Sequence, residues 1–322
     1  MPRLMTPRET PALLLASMQG GDRRALGRLL SLAESEPERF DAIADELAVV
    51  IGRRPQRALR VGITGPGGAG KSTLIDALVR RLRARPQTVA VLATDPTSER
   101  TGGALLGDRI RFAQEAPDPG VFFRSVATRG AAGGVAHAGF DQIDLLEAFG
   151  FDWILIEAVG AGQSEIEIAH AADLTLVAFS PGLGDAVQAL KAGLTEAGDV
   201  FCITKADLPG ADEAAATLRT SLELSAVRTS GAPRPVVTVA ALADRGIDEL
   251  LRNLYEHAEV LRASGEGSRR RRGRIARRVR AIALREFERR LRSDLSLEQA
   301  LASAGEGSPR RLARELLGRL LR

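Results

Sequence analysis

The sequence predicts an α/β fold: a doubly wound, mostly parallel β-sheet with helical extensions at both ends. Between residues 58 and 263, short runs of apolar and β-branched residues alternate with stretches of helical periodicity, an order typical of strands and helices that succeed one another in a parallel sheet. Several of these runs are apolar almost throughout, as expected of strands that helices cover on both faces. The two patterns together indicate the fold class.

Seven runs are predicted to form the strands of this sheet. They span residues 59–64, 88–93, 121–125, 153–156, 174–179, 200–204 and 236–239. Upstream, leucines and isoleucines at helical spacing predict helices as far as residue 51, with breaks at Gly20-Gly21 and Glu36-Pro37.

The region after the sheet is predicted to be helical as well. Residues 264–268 are typical of a linker, and helical spacing resumes over residues 274–291 and 312–321. We therefore divide the chain into an N-terminal helical segment (1–57), an α/β domain (58–263) and a C-terminal helical segment (264–322).

The composition is that of a globular chain of one or two domains. Of the 322 residues, 44% are hydrophobic and 27% are charged, which is enough apolar material for a sizeable core. The longest apolar runs are far shorter than the roughly 20 residues of a membrane-spanning helix, and the first residues lack the continuous apolar stretch of a secretory signal. We therefore expect a cytoplasmic protein that does not span a membrane.

Side chains that bind soft metals are scarce in this sequence. Cys202 is the only cysteine, which excludes an intramolecular disulfide, and the apolar run around it favours a buried structural thiol. His137, His170 and His257 have no second histidine or cysteine at ligand spacing. Any bound metal is therefore expected to use oxygen ligands.

A glycine-rich motif directly follows the first predicted strand and precedes a predicted helix (72–83). It fits the P-loop pattern G-x-x-x-x-G-K-[ST] and consists of Gly65, Pro66, Gly67, Gly68, Ala69, Gly70, Lys71 and Ser72. In such a loop consecutive N–H groups point at the phosphates, and the dipole of the following helix favours their negative charge. We expect Lys71 to bridge the β- and γ-phosphates, Ser72 to bind Mg²⁺ and Thr73 to bond the α-phosphate.

A second carboxylate is expected beside the P-loop, because Mg²⁺ keeps several waters and takes few protein ligands. Glu157 ends the apolar run 152–156, and Gly160 follows three residues later, as in the D-x-x-G switch of GTPases with Glu in place of Asp. Gly160 is positioned to offer its N–H to the γ-phosphate, and Gln163 to orient a water. Asp95 and Asp108 are further metal candidates. Hydrolysis at such a site needs a positioned water and neutralised charge rather than covalent chemistry.

A base-recognition motif follows the sixth predicted strand. Thr204-Lys205-Ala206-Asp207 stands where a GTPase carries N-K-x-D. The Asp207 carboxylate can accept from both N1–H and N2–H₂ of guanine, a pair of donors that adenine lacks. Lys205 can lay its aliphatic stem across the purine. Thr204 replaces asparagine, which removes an amide that would tie the purine and the P-loop together.

The segment after the seventh strand completes the expected base site. Ala240-Ala241-Leu242 takes the place of a serine-alanine motif whose backbone N–H would meet guanine O6. The substitution at Ala240 costs little if the backbone makes this contact.

These motifs, together with several others, resemble one family in particular, the methylmalonyl-CoA mutase-associated GTPases of the MeaB/ArgK type. The resemblance extends from the N-terminal helices to at least residue 250. It rests on the P-loop and on Gly21-Asp22-Arg23-Arg24-Ala25-Leu26, Ala33-Glu34-Ser35, Asp95-Pro96-Thr97-Ser98, Arg100-Thr101-Gly102-Gly103, Leu106-Gly107-Asp108, Thr128-Arg129-Gly130-Ala131, Glu157-Ala158-Val159-Gly160-Ala161-Gly162-Gln163-Ser164-Glu165, and Pro181-Gly182-Leu183-Gly184-Asp185 with Lys191.

The resemblance implies a homodimeric G protein that binds an adenosylcobalamin-dependent acyl-CoA mutase. In that family GTP hydrolysis gates cofactor loading and protects the mutase from inactivation. The resemblance also implies Mg²⁺ and GTP or GDP as bound groups, a dimerisation role for segment 264–322, and catalytic roles for Lys71, Glu157, Gln163 and Lys191. Three residues depart from the family pattern in nucleotide-contacting blocks: Ala158 for Thr, Thr204 for Asn and Ala240 for Ser.

Two other functions compete with this interpretation. A metallocentre-insertion GTPase normally needs the cysteine or histidine ligands that are scarce here, and a P-loop small-molecule kinase would transfer phosphate to an added acceptor. The arginine run 269–280 is expected to be the solvated face of a C-terminal helix at a dimer interface. Nucleic acid is the rival ligand, but no aromatic residue interleaves with the arginines, so base stacking is not supported.

Overall fold

The computed structural model describes residues 10–54, 57–95, 118–127, 137–157, 171–182, 198–224 and 234–293, together with the single residues 196, 310, 311, 314 and 318. The chain forms two compact units, Met1–Arg271 and Arg272–Arg322. The functional division into segments 1–57, 58–263 and 264–322 stays a prediction. None of the helices within the described ranges is both long and apolar enough to cross a membrane.

Residues 10–54 of the N-terminal extension contain three helices, which confirms this part of the predicted fold. They are α1 (Pro11–Gln19), α2 (Arg23–Ser35) and α3 (Pro37–Gly52). Local interactions determine where two of these helices begin. The Asp22 side chain accepts hydrogen bonds from the backbone N–H groups of Arg24 and Ala25 and so caps α2. A proline occupies the first turn of α3. Both predicted breaks therefore separate helices.

In the part of the chain that the structure describes, the central sheet has seven strands. In chain order with their helices, the elements are β1 (Leu59–Thr64), α4 (Lys71–Arg83), β2 (Val89–Asp95), β3 (Val121–Ala127), α5 (His137–Phe149), β4 (Trp153–Glu157), β5 (Leu174–Phe179), β6 (Val200–Ile203), α6 (Ala211–Leu224), β7 (Val236–Thr238), a short 3₁₀ turn (Ala241–Ala243), α7 (Ile247–Ala263) and α8 (Glu266–Ser293). Each of the seven predicted strands is present, with ends that differ by at most two residues.

All strands of the sheet run parallel, in the order β3-β2-β4-β1-β5-β6-β7. This arrangement confirms the predicted doubly wound fold. Apolar side chains of α4 and α7 pack on one face of the sheet, and those of the N-terminal helices, α5 and α6 pack on the other. Because every strand has the same direction, all carboxyl ends meet at one edge of the sheet, the usual ligand edge of open α/β folds.

Cys202 lies in the middle of β6 and is fully buried. Burial raises the pKa of its thiol well above the usual range. The thiol is therefore an inert part of the core, as the apolar run around it predicts.

The opposite, amino-terminal edge of the sheet carries a buried cluster of charges. Arg60 on β1 donates from Nε to Glu147 at 2.9 Å and from Nη2 to Asp144 at 2.8 Å. Burial alone lowers the pKa of the Arg60 guanidinium, but the carboxylates of Asp144, Glu147 and Asp173 outweigh it and raise that pKa. These ion pairs connect β1 to α5.

The start of α8 is fixed at the same edge. Arg270 donates from both terminal nitrogens to the two carboxylate oxygens of Asp199, each at 2.8 Å, and Asp199 directly precedes β6. The predicted linker at residues 264–268 is therefore wrong beyond its first two residues, since α8 begins at Glu266. The small and polar residues of that stretch favour a loop, but Ser264 caps the end of α7 and α8 starts directly after Gly265.

Candidate nucleotide-binding site

The P-loop connects β1 to α4 at the carboxyl edge of the sheet. Gly65 has φ +140°, and a Cβ added to it would lie 2.0 Å from the carbonyl oxygen of Ala178 on β5, so a side chain cannot be accommodated at this position. Gly70 has φ +79° and forms the N-terminal cap of α4. The loop therefore makes a tight turn before α4. As a result, the amino end of α4 points toward the space that the N–H groups of the loop also face.

Lys71 is the first residue of α4 and is buried. Its ammonium group donates to the carbonyl oxygens of Gly65 at 2.7 Å and Pro66 at 3.0 Å. The side chain therefore folds back over the P-loop, and its charge lies beside the backbone groups that are expected to hold phosphates. Ser72 and Thr73 follow it in the first turn of α4.

Glu157 is the last residue of β4 and lies between β1 and β2 in the sheet. It is in register with Ile63 of β1 on one side and with Ala93 of β2 on the other. The Ser72 hydroxyl donates to its Oε1 at 2.8 Å. The structure thus brings together a hydroxyl and a carboxylate that the sequence separates by more than eighty residues. Two adjacent oxygen ligands of this kind suit Mg²⁺.

The remaining predicted metal and catalytic residues are not described in comparable detail. Asp95 ends β2 at the carboxyl edge, but its side chain is outside the description. Asp108, Gly160, Gln163 and Lys191 lie outside the described residues. Their roles stay predictions.

Thr204, directly after β6, connects the base motif to the P-loop. Its hydroxyl lies 2.6 Å from the carbonyl oxygen of Ala69 and 2.9 Å from that of Phe179. Thr204 lacks the amide that would tie the purine to the P-loop, but its hydroxyl keeps the connection on the P-loop side. A hydroxyl at the end of the strand reaches the P-loop carbonyl without an amide, because the loop packs against β6: a Cβ added to Gly70 would lie 3.6 Å from the Thr204 oxygen.

Lys205 and Asp207 extend from this point. Lys205 adopts φ +50°, and its ammonium group donates to the carbonyl oxygen of Gly68 at 2.8 Å, so its stem passes along the P-loop. The N–H of Ala206 donates to the carbonyl oxygen of Val239 at 3.0 Å, which fixes the motif beside the end of β7. Asp207 is exposed, and within the described part of the chain its carboxylate has no hydrogen bond or ion pair. It is therefore available to a ligand.

The segment after β7 lies beside the base motif. The Ala240 N–H donates to the carbonyl oxygen of Arg245 at 3.1 Å, so this N–H is not available to a purine. The expected contact with guanine O6 therefore falls to Ala241 or Leu242, in the turn that follows. Ala241 is buried, whereas the Leu242 side chain is 89% exposed and projects from the turn.

One supporting interaction was not found from the sequence. Arg81 on α4 donates to Asp248 at 2.7 Å and also pairs with Asp244, which ends the Ala241–Ala243 turn with φ +52°. This arginine therefore links the helix after the P-loop to the loop that is expected to read guanine O6. No local signal marks the pair, since more than 160 residues separate Arg81 from Asp244.

Comparisons with known proteins agree with this arrangement. A crystal structure of a LAO/AO transport system kinase has a TM-score of 0.70 and 27% sequence identity, and the match covers 99% of this chain and 100% of that one. A protein of Pyrococcus abyssi named as a GTPase is 46% identical over 271 residues, which are 84% of this chain and 82% of its own length. The GTPase ArgK of Escherichia coli is 35% identical over 262 residues, or 80% of this chain and 78% of its own.

The family comparison covers both the P-loop and the base motif. Residues 26–296 match the model of the family described as “Methylmalonyl Co-A mutase-associated GTPase MeaB”. This range includes the whole sheet with its P-loop, Glu157, the Thr204 to Asp207 motif and the turn after β7. The chain has the P-loop NTPase fold and belongs to the MeaB family of methylmalonyl-CoA mutase-associated GTPases.

Proposed function

We propose that this chain binds GTP with Mg²⁺, hydrolyses it to GDP and phosphate, and thereby regulates an adenosylcobalamin-dependent acyl-CoA mutase as its chaperone. One observation carries the nucleotide part of the proposal. The base motif is joined to the phosphate loop by two hydrogen bonds, from Thr204 to Ala69 at 2.6 Å and from Lys205 to Gly68 at 2.8 Å. A phosphate site and a purine site joined in this way suit the two ends of a single nucleotide.

The phosphate end would be held by the backbone N–H groups of the P-loop, residues 65–70, and by the positive end of the α4 dipole. The Lys71 ammonium group would release the carbonyl oxygens of Gly65 and Pro66 and donate to the β- and γ-phosphates instead. Ser72 and Glu157 would hold Mg²⁺, which when bound supplies positive charge to the phosphate oxygens. Asp95 and Asp108 remain candidates for the same ion.

Hydrolysis would then depend on position and charge rather than on a covalent intermediate. The N–H of Gly160 would bind the γ-phosphate, and Gln163 would orient the attacking water. Lys191 would stabilise the charge that develops on the phosphate oxygens. The roles of these three residues are inferred from the resemblance of their sequence segments to those of the family.

The purine end would be read at its Watson–Crick edge. The exposed Asp207 carboxylate has two acceptor oxygens for N1–H and N2–H₂ of guanine. Lys205 would cover one face of the ring with its stem, and a backbone N–H of Ala241 or Leu242 would donate to O6. Adenine offers neither the donor pair nor the carbonyl.

The role of Glu157 leads to a prediction that separates metal binding from nucleotide binding. We expect Glu157→Ala to lower Mg²⁺-dependent GTP turnover about 10- to 100-fold, because the variant loses a carboxylate that positions the metal. GTP affinity should fall much less, since P-loop amides hold most of the phosphate. Phosphate release and calorimetric titration, measured on the same preparation, test the two effects separately.

The matched control for this prediction is Glu213→Ala, which removes an exposed carboxylate from α6. Its turnover should equal that of the unaltered chain. Turnover in Glu157→Ala that also equals that of the unaltered chain would reject the metal role.

The partner part of the proposal rests on the family, whose description names methylmalonyl-CoA mutase. The expected solvated face does not hold for the whole arginine run 269–280, since Arg270 pairs with Asp199 and Arg274 is buried. We propose that the chain acts in the cytoplasm as a homodimer, with segment 264–322 contributing to dimerisation, and that the arginine run does not bind nucleic acid. Strong, salt-dependent RNA binding would contradict the last point.

We expect an acyl-CoA mutase to be retained by the immobilised chain, with an affinity that changes between GTP and GDP. The physical reason is that a regulator driven by hydrolysis must bind its partner differently in its two nucleotide states. The measurement is a binding titration of purified mutase against the chain loaded with GDP or with a non-hydrolysable GTP analogue.

The controls for this experiment use Lys71→Ala, in which the difference between nucleotides should vanish. Equal mutase affinity in both nucleotide states of the unaltered chain would argue against a regulatory role. Transfer of the γ-phosphate to an added small-molecule acceptor would instead identify a kinase.

A further inference from the structure

The Thr204 hydroxyl has no hydrogen to spare for a ligand. The residue is buried, and its oxygen lies 2.6 Å from the Ala69 carbonyl and 2.9 Å from the Phe179 carbonyl. A hydroxyl has a single hydrogen, and carbonyl oxygens can only accept. Both short contacts therefore compete for the one proton, and the P-loop connection uses it.

The backbone at this position is committed as well. The Thr204 N–H donates to the carbonyl oxygen of Phe179 at 2.7 Å, which continues the pairing of β6 with β5. Lys205 has an ammonium group, but this group donates to Gly68 on the phosphate side. A lysine whose stem lies across the face of the purine cannot donate to a lone pair in the plane of the ring.

These facts matter for one atom of the purine, N7. Its in-plane lone pair can only accept, so any recognition of N7 requires a donor. An asparagine side chain has two N–H donors and could serve the P-loop carbonyl and the base at once. Threonine can serve only one of them, and here it serves the P-loop.

We propose that Thr204 determines the specificity of the site at the Hoogsteen edge: it fixes the P-loop to β6 and leaves N7 of the base without a side-chain donor from this position. The site therefore accepts guanine nucleotides in which N7 is replaced by carbon. This inference rests on the proposed binding of guanine. It adds that position 204 gives the base no hydrogen bond, so that the described residues select the base by its Watson–Crick edge, including O6.

The probe for this proposal is 7-deaza-GTP, which keeps the donors and the carbonyl of guanine but has a C–H at position 7. We expect the unaltered chain to bind GTP and 7-deaza-GTP with dissociation constants within about twofold of each other, because no hydrogen bond is lost. Thr204→Asn should bind GTP about three- to tenfold better than 7-deaza-GTP, since the new amide gains one neutral hydrogen bond to N7.

Two further variants separate this effect from a general change in the loop. Thr204→Ser keeps the hydroxyl, so its ratio of GTP to 7-deaza-GTP affinities should stay within about twofold of one. Thr204→Val keeps the shape but loses the connection to Ala69, so both nucleotides should bind more weakly by the same factor. The comparison of the two nucleotides on the unaltered chain remains a test even if Thr204→Asn does not fold.

The outcomes distinguish this inference from the proposed function. In the unaltered chain, a preference of tenfold or more for GTP over 7-deaza-GTP would correspond to about one good hydrogen bond. This result would overturn the inference and leave the guanine site intact. Folded Thr204→Asn that binds both nucleotides equally would also overturn it. Failure of the unaltered chain to bind either nucleotide would overturn both proposals.

Discussion

Lys71→Ala is expected to abolish measurable GTP binding. In the structure the Lys71 ammonium group is buried over the P-loop and donates to the carbonyl oxygens of Gly65 and Pro66, so it needs only a short displacement to reach phosphates held by that loop. Charge-assisted hydrogen bonds contribute about 1.5–3 kcal/mol each, so the loss of contacts to two phosphates should weaken binding roughly 100-fold or more. Titration calorimetry with GTP and Mg²⁺ measures this loss.

A matched control removes a different cation from the same helix. Arg80 is exposed on α4 and pairs with Asp76 one turn away, so Arg80→Ala should leave GTP affinity unchanged. Thermal unfolding of both variants shows whether α4 remains folded. Tight GTP binding by folded Lys71→Ala would contradict the phosphate site.

Asp207→Asn is expected to shift the preference of the site from guanine to xanthine. The carboxylate can accept from both N1–H and N2–H₂ of guanine through its two oxygens, whereas an amide has a single acceptor oxygen and directs its own N–H₂ at the other donor. Xanthine has a carbonyl at position 2, which suits the amide. Two altered hydrogen bonds to a charged group should change the ratio of GTP to XTP affinities about 100-fold or more.

Competition between GTP and XTP for the same preparation measures this ratio directly. Asp212→Asn makes the same chemical change at an exposed position in the first turn of α6, five residues further along, and should leave the ratio as it is. A ratio that does not change in Asp207→Asn would undo the guanine assignment.

The fold was predictable because its strands and helices are marked by local patterns. The apolar runs of β4, β5 and β6 are buried on both faces, and each run therefore identifies a strand without knowledge of its neighbours. The P-loop is equally local, since its glycines must follow a strand and precede a helix. Eight consecutive residues, 65–72, are therefore enough to predict the P-loop.

The contacts that assemble the site were not predictable in the same way. The hydroxyl of Thr204 bonds to the carbonyl oxygen of Ala69, which lies 135 residues away in the sequence. The presence of threonine where asparagine is usual does not by itself predict this hydrogen bond. Arg81 and Asp244 likewise have no local signature, because an exposed arginine and aspartate are ordinary surface residues until the fold places them together. Such pairs depend on the three-dimensional positions of distant strands.

The prediction of a linker over residues 264–268 is wrong for a physical reason. Glycine and serine weaken helices, so their clustering favours a loop. In the structure Arg270 bonds to Asp199 with two parallel hydrogen bonds at the amino edge of the sheet, and this tertiary interaction holds the first turns of α8 in place. Tertiary contacts thus outweigh the low helical propensity of the segment.

The burial of Cys202 gives the chain a practical property. Because thiolates rather than thiols react with maleimides and iodoacetamides, a thiol whose pKa is raised by complete burial resists alkylation in the folded state. A cysteine introduced at an exposed position such as Leu224, whose side chain is 80% exposed, would then be the preferred target for a fluorophore. A label can therefore be attached at such a position without first replacing the native sulfur.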